Sequence, residues 1–199
     1  MREPDFGALL AGARAGDEAA FLALFRSTQP LLLRYLTAVL GPSTAEDVAG
    51  DTWVDVVRGL DKFAGDESGW RAWVFTIARR RMRDEQRRGF RRPLPADAAA
   101  VLADRSDGSD AFSEVEQLIA TEAALALIGR LPRAQAEVVL LRYVVGLDVA
   151  QTASVVGRRS GAVRVAAHRG LQRLAELLGP WAETGIGNAF DVMSDKRVT

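Results

Sequence analysis

The sequence predicts an all-α protein: two small helical domains joined by a flexible acidic linker, the second containing a helix-turn-helix. Three observations carry this prediction. Apolar residues recur at three- and four-residue spacing through most of the chain. Glycines and Gly-Pro pairs fall where those patterns stop. After Pro93-Leu94-Pro95, residues 96–112 are rich in Ala, Asp and Ser with weak periodicity, which is linker composition. The expected division is therefore a first domain at 1–92, a linker at 93–112, a second domain at 113–179 and a tail at 180–199.

In chain order, Asp17 is placed to cap a helix through Ala19 to Phe25, and Pro30 fits the first turn of a separate helix from Leu31 to Leu40. Gly41-Pro42 ends that helix, since proline cannot continue it and restricts the residue before it. Ser43 or Thr44 then caps a helix from Ala45 to about Leu60, with Val48, Thr52, Val56 and Leu60 on one side. Asp47, Asp51 and Asp55 lie four apart on another side, where like charges cost a few tenths of a kcal/mol per pair, of order 0.2–0.5. That face is either simply solvated or awaits a basic or polar partner. Lys62 to Gly69 reads as a loop.

The most informative stretch is Trp70 to Arg92. At roughly 100° per residue, Trp70, Trp73, Val74, Ile77, Ala78 and Met82 share one side, and Thr76, Arg79, Arg80, Arg83 and Arg87 the other. Arg81 falls in the apolar sector, where it has to snorkel. Nine arginines (71, 79, 80, 81, 83, 87, 88, 91 and 92) face only Asp84 and Glu85 within the stretch. Guanidinium groups this dense repel unless an anion lies between them, and a polyphosphate backbone is the commonest such anion.

Composition narrows the rest. Lysine plus arginine and aspartate plus glutamate both number 26, so the net charge is zero. The charge is nevertheless segregated into alternating acidic and basic blocks, and a partner feels the local field. With no cysteine and a single histidine, neither a disulfide framework nor a metal centre is expected, and no cofactor. The absence of a signal-peptide core or a transmembrane-length apolar run points to a soluble, cytoplasmic chain without membrane insertion.

In the second half, Ser113 to Glu116 is a capping box opening a helix to about Gly129, and Pro132 starts another that stops at Gly146. Asp148 caps a short helix with Gln151 at the reciprocal position. Ala153 is small where helices would cross, and Gly157 supplies the turn. Ser160 caps a longer helix to Leu178 with Val163, Ala167, Leu171, Leu174 and Leu178 as its buried stripe. Arg158 and Arg159 stand at its start, and Arg164, His168 and Gln172 point away from the stripe. This is the arrangement whose second helix enters the major groove by its N-terminal part. His168 is as well placed for a phosphate contact as for none, and no residue is placed for catalysis.

These pieces together resemble a bacterial RNA polymerase sigma factor of the extracytoplasmic-function (ECF) type, over about residues 15–178. The resemblance rests on Ala45 to Trp53, Trp70 to Arg79, Leu131-Pro132, Val139 to Leu147 and Gly161 to Arg164, in that order and spacing. Arg80 stands where many relatives carry Asn. The resemblance implies that Glu46, Asp47, Asp51 and Asp55 bind core RNA polymerase, on the coiled coil of its largest catalytic subunit. It implies that Phe63, Ser68, Trp70, Trp73, Arg79, Arg80, Arg83 and Arg87 read and open the −10 element of promoter DNA. Arg158, Arg159, Ser160, Arg164, His168 and Arg169 would read the −35 element. An anti-sigma factor, which the family usually has, is a further expected partner. An extended linker of residues 93–112 reaches at most about 66–72 Å, enough for the spacer of about 16–17 base pairs the family implies, ~55 Å at ~3.4 Å per pair. An ordinary helix-turn-helix regulator would have no use for the acidic helix. An enzyme acting on nucleic acid would need a phosphate-binding glycine loop, a metal cluster or a nucleophile–base pair that this sequence lacks. The tail, with Trp181, Ile186, Phe190, Val192 and Met193, either frays or folds back onto the core, or binds a partner.

Overall fold

A computed structural model describes residues 5–89 and 123–178. The linker, the capping box at Ser113, Arg91, Arg92 and the tail fall outside the described residues. Within them all regular structure is helical. The elements are α1 (Phe6–Arg14), α2 (Glu18–Leu40), α3 (Pro42–Gly59) with a 3-10 turn at Leu60–Lys62, α4 (Glu67–Gly89), α5 (residues 123–129), α6 (Arg133–Val139) continuing as a π turn at Leu140–Val144, α7 (Val149–Val156) and α8 (Ser160–Leu178).

α2, α3 and α4 pack on one another, with α1 across α2. Asp17 caps α2 as expected, its carboxylate accepting from Ala19 N–H at 2.9 Å and Ala20 N–H at 3.3 Å. Pro30 does not start a new helix: α2 runs unbroken through it. Proline forfeits one backbone bond, but Pro30 is exposed, so the freed carbonyl side faces water. Leu24, Thr28, Leu32, Tyr35 and Leu36 on both sides of it remain buried on one core. The cap of α3 is likewise corrected. Gly41, at φ +81°, ends α2 and caps α3, and Pro42 occupies the first turn, where its missing N–H costs nothing. Ser43 and Thr44 lie inside that turn. The expected apolar stripe of α3 is buried throughout.

α4 begins three residues before Trp70, because Asp66 provides a cap. Its Oδ1 accepts from Gly69 N–H at 2.7 Å, and its carbonyl accepts from Trp70 N–H at 2.8 Å. The stripe from Trp70 to Met82 packs on α2 and α3. Phe75, on the flank of that stripe, is also fully buried and meets Tyr35 edge-on at 5.4 Å. α4 therefore buries a second side, and the second domain covers it.

In that domain α6 crosses α8 closely. A Cβ on Gly170 would lie 2.7 Å from Val139 Cγ2, so only glycine fits the crossing. The capping box forms in full: Asp148 Oδ1 accepts from Gln151 N–H at 2.7 Å, and Gln151 Oε1 from Asp148 N–H at 2.9 Å. Gly157 makes the turn in the left-handed region at φ +64°. Ser160 is the first residue of α8 rather than its cap, since Val163 N–H bonds back to the Arg159 carbonyl.

Candidate nucleic-acid and polymerase interfaces

The approach to α4 is fixed from α1. The Arg14 guanidinium donates to the Leu60 carbonyl at 3.2 Å and to the Phe63 carbonyl, holding the turn that leads to Asp66. Phe63, Trp70 and Trp73 close on one another at centroid distances of 5.0–5.6 Å. Trp70 is 1% exposed, and its indole N–H donates to the buried Thr28 hydroxyl at 3.1 Å. Expected at the −10 element, Trp70 and Phe63 are here core side chains. Large rings, one with a buried N–H already partnered, are held by packing and have no open face. Trp73 is half-buried, and Ser68 is exposed, its hydroxyl accepting from the Gln151 amide of α7.

Arg71 pairs with Glu67, one turn earlier on α4, at 2.7 Å, and the arginines after it separate into three groups. Arg80, Arg83, Arg87 and Arg88 are exposed along one side. Arg87 and Arg88 pair with Asp84 at 2.7 Å and Glu85 at 3.5 Å, solvent-screened contacts of little strength. Arg81 turns to α3, its Nε and Nη2 donating to the two oxygens of Asp55 at 2.7 and 2.6 Å, and Arg80 adds a bond to the same carboxylate at 2.7 Å. Hydrogen bonding from Arg81, more than from Arg80, holds the Asp55 carboxyl below its ordinary range despite some burial. Arg79, expected on the exposed face, is only 7% exposed. It engages Glu137 of α6 with Nε on one oxygen and Nη2 on the other at 3.3 Å, and the Tyr35 hydroxyl donates to the same carboxylate at 3.2 Å. Burial, with the Glu137 charge beside it, raises the Tyr35 phenol well above its usual range. Arginines that found only two acids within their own stretch thus draw on Asp55 and Glu137 from elsewhere.

The expected acidic face of α3 divides in consequence. Glu46, Asp47 and Asp51 are exposed, with Asp51 4.0 Å from Arg81. Asp55 is not unpaired: its side chain is 12% exposed and committed to α4. The structure adds Val54 and Val57 beside this face, 46% and 55% exposed, Val54 at helical spacing from Asp47 and Asp51 and Val57 one turn further on. Sequence periodicity hid them because valine usually marks a core.

Arg158 and Arg159 just before α8, and Arg164, His168 and Arg169 on it, are all exposed, with Val165 among them, while Ser160 is half-buried. The stripe holds them outward through buried Val163, Ala167 and Leu174. Among the described residues no group of three His, Asp or Glu could hold a metal ion, and no helix is long and apolar enough to cross a membrane.

Two helical units, one with a basic helix beside an acidic one and one with a basic recognition helix, define a sigma-70-type initiation factor. Residues 24–92 match Sigma-70 region 2, and residues 121–174 match Sigma-70, region 4. The ECF RNA polymerase sigma factor ShbA of Streptomyces griseus is 36% identical over 183 residues, 86% of this chain and 94% of that protein. SigD of Mycobacterium tuberculosis H37Rv, also an ECF RNA polymerase sigma factor, is 31% identical over 183 residues, 88% of this chain and 85% of its own. CnrH, solved in complex with the cytosolic domain of CnrY, superposes with a TM-score of 0.59 at 26% identity, covering 86% of this chain and 96% of CnrH. The chain belongs to the ECF RNA polymerase sigma factors. It acts with core RNA polymerase in recognising promoters, and as an initiation factor it is not an enzyme.

Proposed function

We propose how the work of this sigma factor is divided among its residues. The first domain, residues 1–92, docks on core polymerase through Glu46, Asp47 and Asp51 of α3, with Val54 and Val57 as the apolar centre of the contact. Exposed valines ringed by charge suit a protein partner better than solvent. Asp55 acts indirectly, by fixing Arg80 and Arg81. The −10 element is met by Ser68, Trp73, Arg80, Arg83 and Arg87, with Phe63 and Trp70 shaping the support beneath and Arg79 tied to Glu137. The −35 element is met by Arg158, Arg159, Arg164, His168 and Arg169 in the second domain, residues 113–179, with 93–112 as the linker.

The observation that carries this reading is the outward set of side chains just before α8 and along its first half. Five exposed side chains, four of them arginine, follow a capped helix and a left-handed glycine turn. That is the geometry of a groove-entering helix. Run-off transcription with purified core polymerase tests it. A template with a scrambled −35 element should lose transcription, and replacing all five side chains with Ala should abolish the difference between templates. Equal output from both templates with the unaltered protein refutes it.

The protein is placed in the cytoplasm, where core polymerase and promoter DNA are. CnrH was captured with another protein's cytosolic domain, and an anti-sigma factor is proposed as a regulatory partner here.

A further inference from the structure

We propose that Val165 is a specificity-determining residue of the −35 helix: it packs against the C5-methyl group of one thymine in the major groove and so selects an A·T pair in one orientation. The inference rests on the reading of α8 as the −35 helix and deepens it. Leu22, Val54, Val57 and Val165 are the large apolar side chains exposed among the described residues, and of these Val165 alone belongs to α8. It is 50% exposed, beside Arg164 and one turn before His168 and Arg169.

The helix fixes where Val165 points. At roughly 100° per residue, the buried side formed by Val163, Ala167, Gly170 and Leu174 spans about 60°. Val165 stands almost diametrically opposite the centre of that side, and Arg164 and Arg169 flank it to left and right. Gly161, one turn earlier on the same line, is exposed, and a Cβ there would meet nothing within 4 Å. Val165 is thus the first outward side chain of α8, with bare backbone before it. It lies about 7.5 Å along the axis from Ser160, inside the N-terminal part that enters the groove.

A valine has neither donor nor acceptor. Against the major-groove edge of guanine, adenine or cytosine it strips water from polar atoms and returns no bond. The thymine methyl is the one apolar group on those edges, and covering it removes two apolar surfaces from water together. The neighbouring arginines cannot draw this distinction, since they bind guanine or phosphate. A protein-docking role fits this side chain poorly. One valine set among guanidiniums is no apolar patch, unlike Val54 with Val57 on α3.

The test uses holoenzyme assembled from the full chain and core polymerase, on promoter templates with a randomised −35 element. Unaltered protein, Val165→Ser and Val165→Ile are compared. The position is exposed, so both variants should fold, as circular dichroism checks. Selection by the unaltered protein and by Val165→Ile should enrich thymine at one position of one strand. Val165→Ser should lose that enrichment and keep the preferences at other positions. Deoxyuridine is then placed at the enriched position, which removes the methyl and leaves every hydrogen-bonding group in place. Binding by the unaltered holoenzyme should weaken about fourfold, the effect of one buried methyl group, and binding by Val165→Ser should not change. An equal response of both proteins to deoxyuridine overturns the proposal. Absence of any base preference with the unaltered protein removes the −35 reading of α8 itself, whereas preferences shared by all three proteins remove the role of Val165 alone.

Discussion

Arg81 grips Asp55 through two nitrogens, across 26 residues of sequence, and so fastens the basic helix to the acidic one. The pair answers the anomaly of an arginine in an apolar sector: it extends to a carboxylate at the edge of the core. Removing one partner leaves the other half-buried with an incomplete set of bonds. Arg81→Gln should destabilise the protein by about 1–3 kcal/mol, read as a fall in the urea midpoint. Asp55→Asn should cost a similar amount, and the double variant should cost less than the two added, because both remove one interaction. Strict additivity would mean that the two side chains do not couple.

The same pair makes stability depend on acid. Asp55 titrates below its unfolded value because Arg81, and then Arg80, favour its charged form. Its contribution is therefore complete above the ordinary aspartate range, about 3.9, and is lost as pH falls through the depressed folded value. Urea midpoints from pH 7 to 2.5 should drop on that acid limb, and Asp55→Asn should flatten part of the drop while leaving the shape between pH 6 and 8 unchanged. An acid limb identical in the variant would count against the assignment.

Asp47 and Asp51 are exposed and away from the core stripe of α3. Asp47→Arg with Asp51→Arg should leave the fold intact by circular dichroism and weaken core polymerase binding by at least about tenfold, because repulsion is added to lost attraction. Adding Val57→Ser should weaken it further. An unchanged affinity in a fluorescence titration would place the contact elsewhere.

How much of this could be read from the chain alone depends on the distance to the partner. Asp17, Asp148 with Gln151, and Gly157 announced their caps and turn, since each acts within a few residues. Pro30 misled, because a proline's local preference says nothing of the core that α2 spans on both sides of it. Arg79 looked like its exposed neighbours. Its partner Glu137 lies 58 residues on, in the other domain, and no local spacing encodes that pairing. A usable signal was Phe75, an aromatic ring beside the basic side, which foretold that α4 buries a second surface. Trp70 and Phe63 were assigned to DNA from the resemblance, although a paired indole and stacked rings fit a core equally well.

The α6–α8 crossing is tight enough to test with one carbon. Gly170→Ala sets a methyl 2.7 Å from Val139 Cγ2 on the original backbone, so the helices must part. We expect a loss of about 1–3 kcal/mol, the usual range for overpacking. Val139→Ala in the same chain should recover part of it. Thermal melts of the two single variants and the double one decide the matter, and an undiminished melting temperature for Gly170→Ala would show the crossing to be looser.

Arg164 lies one turn into α8, and Arg169 lies beyond it. A base contact discriminates between sequences by about 1–3 kcal/mol, whereas a phosphate contact weakens all of them and adds about one unit to the salt slope. With holoenzyme on matched and scrambled −35 templates at several salt concentrations, Arg164→Ala should reduce the preference. Arg169→Ala should lower affinity for both and flatten the salt dependence. Equal weakening on both templates by Arg164→Ala would remove its role in reading bases.

The π turn at Leu140–Val144 carries one residue more per turn than an α-helix. It also sets the direction of the chain into Gly146, at φ +81°, and the Arg142 guanidinium bonds the Leu147 carbonyl across it. The segment thus holds a spare residue whose removal a regular helix could absorb locally without breaking a backbone bond. Five residues in this wide turn cover nearly the arc that four cover in an α-helix, so a chain shortened by one residue there keeps Asp148, Gln151 and α8 near their present heading. The same deletion in the regular part of α6 turns them by about 100°, and α8 then presents its arginines to the wrong side of the molecule.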